Sequence, residues 1–331
     1  MSSSKLVLPW TTRFKLLIIT WLRNTFYRSD GSFNRRIYNL INTKSPPRTT
    51  TLVSTSDVLI DSSRNLWFCL FVPTTTTPNK RLPFILYFPG GGFSTLGPDS
   101  TMYDDHCRLL SVKIPAIIAS VNYRLAPENR HPSQYEDGFD ALKFINLRNY
   151  DILPANVDLD KFFIAGDSAG ANIAHHVTVR ACRNPSEFDK LKIVGLLSLQ
   201  PFFGGEERTE SEMRLTSAPI LNVESTDKMW RGFLPEGANR DHPAANVLKS
   251  TRLNDILFPK TLVIVGVYDP LVDWQRRYVE WIEECGKEVE LIEYPNAFHG
   301  FFLFPEVVES NQMLIDDLRE FVMKQQSTHP K

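Results

Sequence analysis

The 331 residues read as one α/β domain: a mostly parallel central sheet with helices on both faces and a helical cap. Three observations predict this. From residue 116 onward, short apolar runs alternate with longer amphipathic ones, the rhythm of successive strand–helix units. At one junction, Phe162-Phe163-Ile164-Ala165-Gly166-Asp167-Ser168-Ala169-Gly170, an apolar run ends in Gly-x-Ser-x-Gly just before a helical pattern begins at Ala171. Residues 204–258 break the alternation with a polar, irregular, helix-prone stretch, as an insertion before the next sheet strand would. The expected organisation is therefore an N-terminal helical lid segment over 1–45 and the α/β domain over 46–331, with its cap at about 204–258. A chain of this length that is 42% hydrophobic can bury a sizeable core.

Taken in order, residues 10–27 read as an amphipathic helix. Its apolar run, Leu16 to Leu22, is flanked by Arg13, Lys15 and Arg23. That run is far shorter than the ~20 residues a membrane span needs, and no small-x-small cleavage pattern follows it. The helix is expected to pack on the protein's own surface in preference to contacting a membrane, or else to cover the active site. Residues 33–47 look like a connector ended by Pro46-Pro47. Strands follow over 52–60, 66–72 and 84–88, separated by turn-rich and polar stretches, and this opening reads as antiparallel. Then come strand 116–121 with helix 135–147, strand 162–165 with helix 171–183, and strand 193–199. After the insertion, strand 261–267 precedes helix 274–285, and strand 289–294 precedes a closing helix over about 309–325.

Composition narrows the partners. Lys+Arg 37 against Asp+Glu 38 gives a net charge of -1, which provides no overall field for a nucleic-acid backbone or an anionic membrane. A small molecule is the expected partner. Cys69, Cys107, Cys182 and Cys285 are widely spaced without a Cys-x-x-Cys pair, which fits reduced core thiols in a cytoplasmic protein and no metal site.

The chemistry centres on Ser168. Gly-Asp-Ser-Ala-Gly between strand and helix forces a sharp reversal that lifts the serine to its apex, the nucleophile elbow. A serine hydroxyl needs a base to take its proton and a third group to orient that base. Asp269 follows the buried run Val265-Gly266-Val267-Tyr268, at the edge where a parallel sheet gathers functional residues. His299 lies in a loop thirty residues later, giving the order Ser, Asp, His. His175 and His176 sit on the helix leaving the elbow and read as structural. His106, His131, His242 and His329 fall at the wrong places in the chain for a base. Phe88-Pro89-Gly90-Gly91-Gly92-Phe93 brings bare backbone N–H groups after a strand. With Ala169, Gly90 and Gly91 are the expected oxyanion donors, and Gly92, Phe93, Asp167 and Trp230 are the expected substrate contacts. The triple glycine lacks both dinucleotide and P-loop spacing. The apolar, aromatic character of 10–30, 93–96 and 213–233 favours an uncharged, fairly hydrophobic ligand.

With the glycine loop at 90–92, Tyr123-Arg124-Leu125-Ala126-Pro127-Glu128, Gly166-Asp167-Ser168-Ala169-Gly170-Ala171-Asn172, Tyr268-Asp269-Pro270-Leu271 and His299, the chain resembles the plant carboxylesterases of the hormone-sensitive-lipase type, in the α/β-hydrolase superfamily. Arg28-Ser29-Asp30-Gly31, Phe202-Phe203-Gly204-Gly205 and Arg240-Asp241-His242-Pro243 look like the subgroup nearest the gibberellin receptors. The resemblance implies a cytoplasmic serine esterase without metal or organic cofactor, acting on a small ester, with the N-terminal segment forming part of a lid. One residue departs from the pattern: Pro89 stands where the family usually has His before its three glycines. Two other readings follow from the resemblance. One is a specialised-metabolism hydrolase, retuned through Pro89 to a single ester or to a rearrangement. The other is a hormone receptor built on a dead hydrolase, for which the resemblance predicts loss of the histidine that is present here as His299.

Overall fold

The computed structural model describes residues 6, 8–28, 32–74, 80–147 and 152–327. Among the described residues, one sheet runs in the order β1-β2-β4-β3-β5-β6-β7-β8. Its strands are β1 (Val53–Asp61), β2 (Leu66–Pro73), β3 (Leu82–Phe88), β4 (Ile117–Asn122), β5 (Val157–Asp167), β6 (Ile193–Leu199), β7 (Lys260–Tyr268) and β8 (Val289–Phe298). The helices are α1 (Trp10–Phe26), α2 (Arg35–Ile41), α3 (Thr101–Lys113), α4 (Ser133–Asn146), α5 (Ala169–Arg183), α6 (Glu210–Arg214), α7 (Val223–Phe233), α8 (Val272–Glu284) and α9 (Val308–Ser327).

The central strands are predominantly apolar where both faces of the sheet are covered, as in β3 and in Phe162–Ala165 of β5. Every residue of β3 is buried, and alternate side chains go to opposite layers. Phe84, Leu86 and Phe88 join Ile117, Ala119, Phe162 and Ile164 on one face. Ile85 and Tyr87 join Ile118, Phe163, Ala165 and Leu197 on the other. The residues between β6 and β7 hold α6, α7 and irregular chain but no strand among the described residues.

Three expectations need correction. The antiparallel opening holds for β1 with β2 and for β2 with β4, but β3 runs parallel to both β4 and β5. That geometry needs a crossover, and α3 supplies it across a stretch given no helix by its sequence pattern. Tyr103, Cys107 and Leu110 do form a buried stripe at helical spacing. It was masked by Asp104 and Arg108, which are also buried and pair with each other at 2.8 Å. Within the supposed connector, α2 forms over seven residues, its first turn capped by the Asn34 side chain. In the Arg28–Gly31 motif, residues 29–31 lie outside the described residues.

Candidate active site

The elbow forms because β5 delivers Ser168 to the C-terminal edge of the sheet and α5 leaves at once. Ser168 sits at φ 51°, ψ −120°, a strained conformation for a non-glycine residue. Two bonds hold it there: its N–H donates to the Leu199 carbonyl at 2.9 Å, and its carbonyl accepts from Phe202 N–H at 3.0 Å. Gly170 must lack a side chain, since a Cβ there would lie 1.8 Å from the Phe88 carbonyl oxygen.

Asp269 leaves β7 and His299 follows β8, so neighbouring parallel strands bring both to Ser168. His299 Nδ1 lies 2.7 Å from Asp269 Oδ2, and its Nε2 lies 2.9 Å from Ser168 Oγ. With a carboxylate as acceptor, the ring proton belongs on Nδ1, leaving Nε2 to accept from the serine hydroxyl. Asp269 is fully buried and its oxygens are satisfied: Leu271 N–H donates to Oδ1 and Gln275 Nε2 to Oδ2, both at 2.9 Å. Ser168, Asp269 and His299 thus form the arrangement expected for a serine hydrolase.

Two supports were not visible in the sequence. Gln275 is the first, six residues along the chain from Asp269. Gln200 is the second: its Nε2 donates to the Phe298 carbonyl at 3.1 Å and its Oε1 accepts from Gly300 N–H at 2.7 Å. One buried carboxamide therefore grips the backbone on both sides of His299. Gln200 itself adopts φ 44° just beyond β6. No sequence signal marks such a residue, because its partners are main-chain atoms a hundred positions away.

The glycine loop is anchored from below. Asp167 Oδ1 accepts from Tyr87 Oη at 2.8 Å and from Gly90 N–H at 3.0 Å, while Oδ2 accepts from Tyr103 Oη at 2.6 Å. Gly90 N–H also approaches Tyr103 Oη at 2.7 Å. Tyr123 Oη donates to the Pro89 carbonyl at 2.7 Å. Burial raises the phenol pKa values of Tyr87, Tyr103 and Tyr123, so all three stay protonated and able to donate. Burial also lifts Asp167 to about 6, against the opposing pull of the Tyr103, Tyr87 and Gly90 donors. At Gly90 a Cβ would meet Asp167 Oδ2 at 2.4 Å, so only glycine fits this close approach.

These bonds revise two expectations. The Gly90 N–H, taken as an oxyanion donor, is directed at Asp167 and Tyr103 instead. Asp167, taken as a substrate contact, does border the cavity, but its carboxylate is engaged in holding the loop. By contrast, the N–H groups of Gly91, Gly92 and Ala169 have no acceptor among the described residues. Ala169 also opens the fifteen-residue α5, where the helix dipole favours negative charge.

Beside Ser168 lies a cavity of about 230 Å³. Its walls include Ile19, Leu22 and Phe26 of α1, Tyr38 of α2, Met229 of α7 and Leu303, and among the described residues no Lys or Arg borders it. Gly92 lines it, whereas Phe93 and Trp230 do not. Phe93 turns into the core and stacks on Phe233 with ring centroids 3.6 Å apart, and Trp230 stacks on Phe202 at 4.2 Å. Their aromatic mass supports the wall from behind. His175 and His176 are structural, as expected: the first bonds Tyr278 Oη at 2.9 Å and the second stacks on Tyr135.

Comparison with known proteins agrees with this geometry. Residues 85–303 match a family model described as alpha/beta hydrolase fold. The chain belongs to the alpha/beta hydrolase family. Among alpha/beta hydrolase relatives, it is 36% identical to gibberellin receptor GID1C of Arabidopsis thaliana, covering 96% of this chain and 95% of that one. It is also 36% identical to 3-O-acetylpapaveroxine carboxylesterase CXE1 of Papaver somniferum, covering 84% and 90%. An esterase structure from Pyrobaculum calidifontis superposes with a TM-score of 0.76 at 23% identity, over 97% of this chain and 99% of that one, a likeness of fold.

Proposed function

We propose that this alpha/beta hydrolase is a carboxylesterase that cleaves a small, uncharged, fairly hydrophobic ester through an acyl-enzyme. The observation that carries this reading is the continuous hydrogen-bonded chain from Asp269 through His299 to Ser168, with three nearby backbone N–H groups that have no acceptor among the described residues. Ser168 Oγ attacks the ester carbonyl carbon while His299 Nε2 takes its proton. The oxygen that becomes negative faces Gly91, Gly92 and Ala169, and each such donor is worth about 10²–10³ in rate. Collapse expels the alcohol, which receives the proton held by His299. Water then attacks the acyl-serine with His299 again as base, and the acid leaves.

The hormone-sensitive-lipase-type branch is supported by the glycine loop after β3 and by Gly-Asp-Ser-Ala-Gly after β5. Residues 1–45 serve as a lid and 204–258 as a cap; Ile19, Leu22 and Phe26 from the first, and Met229 from the second, border the cavity and support this division. Four free cysteines fit a cytoplasmic setting. Among the described residues, no helix is long and apolar enough to cross a membrane. Pro89 in the glycine loop and the relatives named 3-O-acetylpapaveroxine carboxylesterase in Papaver somniferum support, as a second reading, a single ester of specialised metabolism. A receptor would have no use for a base bonded to its serine.

The test is turnover of p-nitrophenyl acetate and butyrate by wild type and Ser168→Ala. Turnover abolished in the variant is expected. Undiminished turnover in Ser168→Ala would sink the assignment.

A further inference from the structure

Helix α1 is apolar on two opposite sides. Leu16 is buried, and Ile19, Leu22 and Phe26 border the cavity. On the far side, Trp10, Phe14, Leu17 and Trp21 recur at i, i+4, i+7 and i+11, which makes one stripe about 16 Å long at 1.5 Å per residue. They are 78%, 59%, 69% and 68% exposed, and no other Trp or Phe among the described residues is exposed to this degree. Charge is just as uneven. Residues 1–29 hold Lys5, Arg13, Lys15, Arg23 and Arg28 and no acidic residue, in a chain whose net charge is only -1. Lys15 turns back to pair with Glu306, while Arg13 and Arg28 are exposed.

We propose that the outer face of α1 docks on an anionic lipid surface, the helix lying in the plane of the headgroups with Trp10 and Trp21 at its two ends. Tryptophan favours that interfacial depth, and a cationic segment free of acids is attracted to anionic lipid. A second copy of the chain is a poorer occupant, since pairing the stripe with itself would bring two cationic segments together. The opposite side of α1 walls the cavity, so docking sets that cavity beside a phase into which hydrophobic esters partition.

The test is co-sedimentation of the full chain with vesicles of phosphatidylcholine alone and of phosphatidylcholine mixed with phosphatidylserine. Binding at least about tenfold tighter to the anionic vesicles, weakening as salt is raised, is expected. The double variant Leu17→Glu, Trp21→Glu should lose about tenfold or more of that binding, because it removes apolar contact and adds like charge. Its melting transition and its p-nitrophenyl ester turnover in vesicle-free buffer should match wild type, which separates lost docking from lost folding. Absence of vesicle binding, equal binding to both compositions, binding retained by the variant, or a dimer that the variant dissolves in place of vesicle binding would each overturn the proposal.

Discussion

Removing the Gln200 carboxamide should cripple catalysis without touching the triad. Gln200→Leu leaves the Phe298 carbonyl and the Gly300 N–H, both flanking His299, without their partner. Each buried group stranded in this way costs about 1–3 kcal/mol, so the loop is expected to shift until one or both find water. The imidazole must move with it, and a displacement of about 1 Å at a reacting group costs on the order of 10²-fold in rate. Gln200→Glu should fall in between: it keeps an acceptor for Gly300 N–H but turns a carboxylate toward the Phe298 carbonyl. The assay is steady-state hydrolysis of p-nitrophenyl butyrate by wild type and both variants, with thermal melting alongside. The expected result is a fall in kcat in the order Gln, Glu, Leu with a smaller change in KM, because His299 and Gly300 move with the loop while the rest of the cavity wall stays in place. A Gln200→Leu protein that melts cooperatively and keeps wild-type kcat would refute the argument.

Asp269→Asn should lower kcat by about 10³–10⁴, since an amide cannot hold the His299 tautomer and gives no charge to an imidazolium; comparison of single-turnover rates checks this. Pro89→His should change kcat by less than about tenfold, within the modest effect of roughly 1 kcal/mol for a typical hydrogen bond, because Tyr123 and Asp167 already hold the peptide unit that joins residues 89 and 90. Tyr123→Phe removes one of those anchors and should reduce kcat more than Pro89→His does, as parallel kinetics on the two variants would show. Acid should destabilise the fold through histidines that are buried neutral. Desolvation lowers His106 from 6.5 to about 4, and it lowers His131, to about 4, and His175 in the same direction. Folded pKa values below the unfolded ones mean stability that is complete above pH 6.5 and is lost as pH falls toward about 4. At about 1.4 kcal/mol per unit, His106 alone contributes about 3 kcal/mol. Asp167 acts in the opposite sense: raised from 3.8 to about 6, it favours the folded state at the acid end of that window. Urea titrations at pH 7, 6 and 5 should therefore show a steeper acid loss for Asp167→Asn than for wild type, and a shallower one for His106→Phe.

The parts of this molecule that could be read in the sequence are those whose signal is local. β5, the elbow and α5 are contiguous, so an apolar run, small residues around a serine and a helical pattern announce them together. Asp269 and His299 could be found because a parallel sheet places each functional residue just past a strand, and the order of the strands along the chain restricts the choice. Helix α3 was missed for a physical reason: its buried face includes Asp104, Arg108 and His106 as well as Tyr103 and Leu110, so the hydrophobic period is diluted by residues that satisfy one another or are simply desolvated. The same principle explains Phe93 and Trp230. A sequence shows that aromatic residues lie near a site but not which side of the wall they occupy, and here their stacking on Phe233 and Phe202 holds them in the core.

The glycine loop shows why the donor assignment needed three dimensions. Three consecutive glycines make three N–H groups equally plausible, and nothing within Pro89–Phe93 separates them. The decision comes from Asp167, which is adjacent to Ser168 in sequence but reaches beneath the loop and takes Gly90 N–H for itself. That single bond separates neighbouring glycines: the Gly90 N–H is engaged in holding the loop, while the N–H groups of Gly91 and Gly92, which border the cavity beside Ser168, have no acceptor among the described residues. It also bears on the absence of a histidine at position 89. A loop held at its carbonyl by Tyr123 and at the next N–H by Asp167 is constrained on both sides of one peptide unit. A ring at position 89 is then not needed for that constraint, so proline can occupy the position while the loop stays anchored.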